Sequence, residues 1–247
     1  MITAFINQKG GVAKTTSTLN VAVALSEKGY KVLMLDFDPQ ASLTIASGLE
    51  PERIEKNMYH VIVEKENIEN IILSISDNLH IAPSIIDLSV AELYMVSEMA
   101  RESILKKALS KIQNYYDFIF IDCPPSLGLL AINALCASQN VVIPTATDYL
   151  AYRGLKLLLE TIKKVKENLN ENLNIAGVIA TFYDSRTLHS KEVLEALGEE
   201  QKILGVIKKS VQVQDSIMSG KSIITYNPEH PIAKEYKNIA SKIEKFL

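Results

Sequence analysis

Lys9-Gly10-Gly11-Val12-Ala13-Lys14-Thr15-Thr16 follows a β-branched apolar run at residues 2–6 and opens a helical stretch at residues 14–28. Strand, glycine turn and helix start, in that order, make a phosphate cradle. Gly10 and Gly11 permit a tight turn, the backbone N–H groups of the loop and first helical turn point at an anion, and the positive end of the helix dipole favours it. Lys14 adds a mobile positive charge, and Thr15 is expected to place its hydroxyl on Mg²⁺. The ordinary template G-x-x-x-x-G-K-[ST] would put glycine at Gln8 and at Ala13, so a literal search misses the site. In its place stands a form with a second lysine, Lys9, ahead of the glycines, and that charge has no obvious work inside one subunit.

Further β-branched runs at residues 31–35, 118–121, 140–143, 175–180 and 203–207 read as strands, and their apolar continuity implies burial on both faces. Helical stretches at residues 14–28, 90–114, 127–137, 150–168 and 187–197 are long enough to cross over between parallel strands. The expectation is an α/β fold, a doubly wound and mostly parallel sheet flanked by helices. Short helices are expected over residues 50–78. No repeat, low-complexity tract or Pro/Gly/Ser linker divides the 247 residues, so the whole chain, 1–247, reads as one domain.

Two strand ends carry the acids. Leu35-Asp36-Phe37-Asp38-Pro39-Gln40 places two carboxylates on one side of a strand terminus by period-2 alternation. At the carboxyl edge of a parallel sheet both would face the phosphates. Attack on a γ-phosphoryl group needs an oriented water and charge neutralisation more than covalent help, and a carboxylate can orient the water. The apolar run ending at Asp122, followed by Cys123-Pro124-Pro125-Ser126, has the pattern of a strand whose terminal carboxylate holds Mg²⁺.

Composition excludes other classes. Forty-seven per cent hydrophobic and 22% charged residues describe a globular chain, and no run approaches the roughly 18 apolar residues of a membrane span. A cytoplasmic protein is expected. Cys123 and Cys136 fit neither a disulfide framework nor a zinc spacing. Residues 1–100 carry 7 Lys+Arg against 13 Asp+Glu whereas residues 201–247 carry 8 against 4, so contact with a polyanion is expected from the C-terminal part.

The phosphate loop resembles the deviant Walker A motif of the ParA/MinD class of P-loop ATPases, which usually reads K-G-G-x-G-K-[ST]. Ala13 departs from the family glycine, and its methyl is expected to bear on hydrolysis more than on nucleotide binding. Asp38-Pro39-Gln40, residues 147–155, residues 181–187 and Gly220-Lys221-Ser222-Ile223-Ile224 resemble blocks of the Soj-like partition branch. The resemblance implies ATP and Mg²⁺ as cofactors and an ATP-bound homodimer in which Lys9 reaches the partner's phosphates. It implies catalytic roles for Asp38, Lys9 and Lys14, with Asp38 positioning the attacking water. The phosphates would lie against Lys9, Gly10, Gly11, Val12, Ala13, Lys14, Thr15 and Thr16, with Mg²⁺ served by Thr15, Asp122 and Asp36, the last supporting either the metal shell or Lys14. Residues 206–211 resemble a family stretch in which the positions of Lys208 and Ser210 lie by the adenine and that of Lys209 is associated with DNA. Lys202, Lys208, Lys209 and Lys221 are therefore the expected contacts to non-specific DNA. A ParB-like centromere-binding protein is the implied partner and a nucleoid-associated location follows.

Residues 232–247 carry apolar positions at helical spacing opposite a lysine-bearing face. Glu235 and Glu244 dilute that face, which favours a helix packed on the sheet over a membrane-surface helix of the MinD type.

Overall fold

Eight strands form one sheet in the computed structural model, which describes residues 1–246. In the first half of the chain, β1 (Ile2–Phe5) leads to α1 (Lys14–Ser26), β2 (Val32–Asp36), α2 (Ser42–Ala46), α3 (Met58–Ile62), β3 (Leu73–Ser76), β4 (Leu79–Ala82), α4 (Ala91–Val96) and α5 (Ile104–Leu109). Then follow β5 (Phe118–Asp122), α6 (Leu129–Ala137), β6 (Asn140–Ala146), α7 (Tyr149–Asn168), β7 (Asn174–Tyr183), α8 (Leu188–Glu200), β8 (Ile203–Lys208), α9 (Val211–Met218), α10 (Ile223–Tyr226) and α11 (Pro231–Ile243).

The strand order is β3-β4-β2-β5-β1-β6-β7-β8, and every neighbouring pair is parallel except β3 with β4. The chain leaves β1 to build one half of the sheet and returns through β5 to build the other. A crevice therefore opens at the carboxyl ends of β1 and β5. In register, Phe5 stands beside Asp122 and Asp36 beside Asp122, which brings the phosphate loop and both acidic strand ends to one edge.

Two hydrophobic layers sandwich the sheet. One holds Leu33, Leu35, Ile119 and Ile121 against α6 and α7; the other holds Phe5, Met34, Phe118 and Phe120 against α1 and α11. Helix α1 is buried nearly all round because it lies between the sheet and α11. The apolar face of α11, with Ile232, Tyr236, Ile239 and Ile243, is buried in this second layer, so the helix packs on the sheet as expected. Leu247, which the amphipathic stretch included, lies outside the described residues.

Two expectations change. The helix expected over residues 90–114 is two short helices, α4 and α5, separated by Ala100 in a left-handed conformation at φ 52°. The Asn133 side chain, reaching from α6, donates to the Arg101 carbonyl at 2.8 Å and accepts from the Leu105 amide at 3.1 Å, so a tertiary contact takes over backbone groups at the break. Residues 50–78 do contain the short helix α3, but also β3. With β4 it forms a hairpin that extends the sheet beyond β2.

Candidate nucleotide site

The loop from Asn7 to Thr16 closes over the crevice because its backbone is tied on both sides. The Asn7 side-chain amide donates to the Pro144 carbonyl at 2.8 Å, the Gln8 side-chain amide donates to the Gly154 carbonyl at 2.8 Å, and the Val12 carbonyl accepts from the Thr181 hydroxyl at 3.1 Å. Gly11 takes φ 70°, open to glycine at little cost. Ala13 takes φ 64° and ψ 34°, a left-handed conformation that an L residue with a Cβ reaches only at a cost of about 1–2 kcal/mol. No side chain caps α1, so the amides of its first turn are left for an anion.

A cleft of about 580 Å³ lies in front of these amides. Gly10, Gly11, Ala13, Lys14, Thr15 and Thr16 line one wall and Asp38 the other, with Lys208, Lys209 and Ser210 further along beside Ile207, Val213 and Ile217. Val12, by contrast, points into a small apolar cluster with Ala146 and Ala151 and contributes backbone only. The cleft thus offers loop amides and the Lys14 ammonium for phosphates, and the apolar side chains of Ile207, Val213 and Ile217 for a base.

Lys14 is 7% exposed, and among the described residues its ammonium has one hydrogen bond, to the Lys9 carbonyl at 3.3 Å. Burial lowers its pKa although Asp122 and Asp38 oppose the shift. An under-satisfied buried ammonium is poised for an anion. The Thr15 hydroxyl donates to Asp122 Oδ2 at 2.6 Å, which sets a hydroxyl and a carboxylate side by side where a P-loop metal would stand. Asp122 is fully buried, and burial, with Asp36 nearby, pushes its pKa up to about 8. A divalent cation would reverse that shift. Among the described residues no cluster of three or more His, Cys, Asp or Glu forms a metal cage.

Asp38 is also partly withdrawn from water. Burial raises its pKa while the Gln40 amide, donating to Oδ1 at 3.0 Å, and Lys14 pull it down. Asp36 is held on both oxygens: one accepts from the Asp38 amide at 3.2 Å, the other from the Thr44 amide and hydroxyl at 2.8 Å each. It braces the loop that carries Asp38 and stands beside Asp122 in the sheet register. Burial pushes its pKa up to about 7.

Lys9 does have work inside one subunit. Its ammonium pairs with both oxygens of Asp148, at 2.8 and 3.0 Å, on the rim of the site. Asp148 also caps α7 through the Ala151 amide at 2.8 Å. Cys123 is fully buried, and burial pushes its thiol well up, so it is a packed element of the loop after β5.

A family model described as an AAA domain matches residues 1–175. The sporulation initiation inhibitor protein Soj of Bacillus subtilis is 39% identical over 98% of this chain and 97% of its own length. The chromosome-partitioning ATPase Soj of Treponema pallidum is 38% identical over 97% of this chain and 95% of its own. The chain belongs to the ParA/Soj family of P-loop ATPases. A crystal structure described as cobyrinic acid a,c-diamide synthase from Mycobacterium smegmatis, with bound ATP analogue and magnesium, matches with a TM-score of 0.85 at 32% identity, covering 99% of this chain and 94% of that one. One fold thus serves proteins of different names, and the residues of the site decide between them.

The cations expected to meet DNA in this ParA/Soj chain divide. Lys208 and Lys209 line the main cleft and an adjoining one of about 410 Å³, which also takes in Arg186, Tyr183 and Phe182. Lys221 is exposed on the turn after α9. Lys202 stands apart: it precedes β8 whereas Lys208 ends it, about 20 Å away at roughly 3.3 Å per residue. Its ammonium lies 5.2 Å from the Phe246 ring centroid. It is withdrawn from the group. Arg186 is a cation of this region that sequence reasoning misses; its signal is a place in a family block, with no charge run to mark it. Its guanidinium forks onto Asp184 at 2.9 and 2.7 Å.

Proposed function

We propose that this chain is an ATP-switched DNA-partitioning ATPase acting as one P-loop unit. ATP and Mg²⁺ are its cofactors, with the phosphates against residues 9–16 and the metal beside Thr15 and Asp122. The observation that carries this reading is the convergence of Lys14, Thr15 and Asp38 on one cleft that also offers apolar side chains. Bound there, the nucleotide supplies a γ-phosphoryl group and the metal spreads its charge. Lys14 adds charge neutralisation, Asp38 orients a water, and Asp36 holds the Asp38 loop in place through Thr44. Ala13 in a strained conformation supports slow intrinsic turnover.

In the ATP state two chains face each other across the phosphates. Lys9 leaves Asp148 and reaches the partner's nucleotide. The dimer then meets DNA through Lys208, Lys209 and Lys221, with Arg186 beside them. Lysine–phosphate contacts carry no sequence information and weaken with salt. A ParB-like centromere-binding protein accelerates hydrolysis and so releases the DNA, in a nucleoid-associated, cytoplasmic cycle. The buried apolar face of α11 weighs against a membrane-surface role. Retention on random-sequence DNA tests the reading: it should require ATP and Mg²⁺ and fall steeply between 50 and 200 mM salt, roughly one decade or more for a few phosphate contacts. Salt-independent retention, or retention without nucleotide, would refute it.

A further inference from the structure

Helices α2 and α9 end in the same motif. In α2 the Leu49 amide donates to the Thr44 carbonyl at 3.3 Å and the Gly48 amide to the Ile45 carbonyl at 2.9 Å, with Gly48 at φ 82°. In α9 the Lys221 amide donates to the Ser216 carbonyl at 3.0 Å and the Gly220 amide to the Ile217 carbonyl at 3.0 Å, with Gly220 at φ 64°. Both are Schellman turns closed by a left-handed glycine. The two turns lie backbone to backbone. A Cβ at Gly220 would stand 2.6 Å from Gly48 Cα and force the turns apart, and one at Gly48 would stand 3.2 Å from the Gly220 carbonyl oxygen, a tight contact on a left-handed residue.

Each turn has a second anchor. Helix α2 hangs from Asp36 through Thr44, in the segment that carries Asp38. The α9–α10 turn is pinned to α1 by the Ile223 amide, which donates to Asn20 Oδ1 at 3.0 Å. The turn carrying Lys221 is thus held between the helix that starts at the phosphate loop and the segment beside the γ-phosphate position.

We propose that this glycine seam couples the Asp38 loop to the lysine-bearing turn, so that a change at the γ-phosphate shifts α2 and carries Lys221 and the end of α9 with it. Gly48 and Gly220 are positioning residues, and the link from the seam to DNA rests on the partition reading above. Coupling between two sites in one protein commonly amounts to roughly 5–150-fold in affinity. Through the seam it would appear as a ratio of DNA affinity with an ATP analogue to that with ADP.

Amide hydrogen exchange tests the seam without DNA. ADP and a non-hydrolysable ATP analogue share their base, so a difference between them at residues 219–226 reports the γ-phosphate and not contact of the base with α9. The native chain should change protection at both 42–49 and 219–226. In Gly220→Ala and Gly48→Ala the change should persist at 42–49 and vanish at 219–226, with nucleotide affinity within about twofold of native, because neither glycine itself lines the nucleotide cleft. Gly29→Ala controls for strain, since Gly29 has φ 94° but a Cβ added there would meet nothing within 4 Å; it should behave as native. A response at 219–226 that survives in both seam variants, or is missing from the native chain, overturns the proposal. DNA retention is the second arm: the ratio between nucleotide states should collapse to within about twofold in the seam variants. A native chain that never retains DNA would sink the partition reading while the exchange result still decides the seam.

Discussion

The Lys9–Asp148 pair sets a measurable threshold on dimer formation, because a lysine held by its own chain must be released before it can serve a partner. Both side chains are more than one-third exposed, at 36% and 39%, so the pair ranks with surface ion pairs worth about 0.2–1 kcal/mol. Two pairs break per dimer, so the threshold is about 0.4–2 kcal/mol, or roughly 2–30-fold in the association constant. Asp148→Asn removes the charge but keeps a good cap for α7 at the Ala151 amide, whereas Asp148→Ala also loses the cap at about 1 kcal/mol of stability. Sedimentation with ATP and Mg²⁺ should find the asparagine variant dimerising at roughly 2–30-fold lower concentration, as that ion-pair range implies. The effect should shrink at high salt as screening weakens the native pair. An unchanged or weakened dimer constant in Asp148→Asn would refute the idea that this pair restrains Lys9.

Ala13→Gly relieves a left-handed alanine worth about 1–2 kcal/mol and gives back about 0.4–1 kcal/mol through the freer unfolded chain. The net gain of about 0–1.6 kcal/mol should raise the melting midpoint by up to about 6 °C, since 1 kcal/mol moves a chain of this size by roughly 2–4 °C; a lower midpoint argues against the left-handed loop. Stability should also depend on pH through Asp36 and Asp122. Their folded pKa values, about 7 and about 8, lie above unfolded values near 3.9, so the folded state holds more protons in that window. Without metal, stability should therefore fall as pH rises from about 4 to about 8 and then level off. Binding of Mg²⁺·ATP should release protons at pH 7, read by calorimetry in buffers of different ionisation enthalpy; no release in the native chain, or equal release in Asp122→Asn, contradicts the assignment.

Local chemistry written in consecutive residues is legible in the sequence. The phosphate loop, the strands ending at Asp36 and Asp122, and the parallel sheet all follow from apolar runs closed by glycine, lysine or aspartate. Contacts between residues distant in sequence are not. Lys9 and Asp148 are 139 residues apart, and nothing in either neighbourhood announces the pair. Alternation puts Asp36 on the same side as Asp38, but nothing in consecutive residues shows that the Thr44 amide and hydroxyl, eight residues on, hold its carboxylate. The broken helix near Ala100 is a further case: apolar spacing continues across the break, and Asn133, some thirty residues on, helps to fix it. Lys202 has the right charge at the wrong end of β8, where strand direction and not composition decides.

The most direct test of the nucleotide switch is sedimentation velocity of the Asp38→Ala chain. Removing the water-orienting carboxylate should leave nucleotide binding intact and stop turnover, so the account predicts a stable dimer with ATP and Mg²⁺, a monomer with ADP and Mg²⁺, and a monomer with either when Lys9→Ala is added. A monomer in every state, or a dimer indifferent to nucleotide and to Lys9, would contradict it.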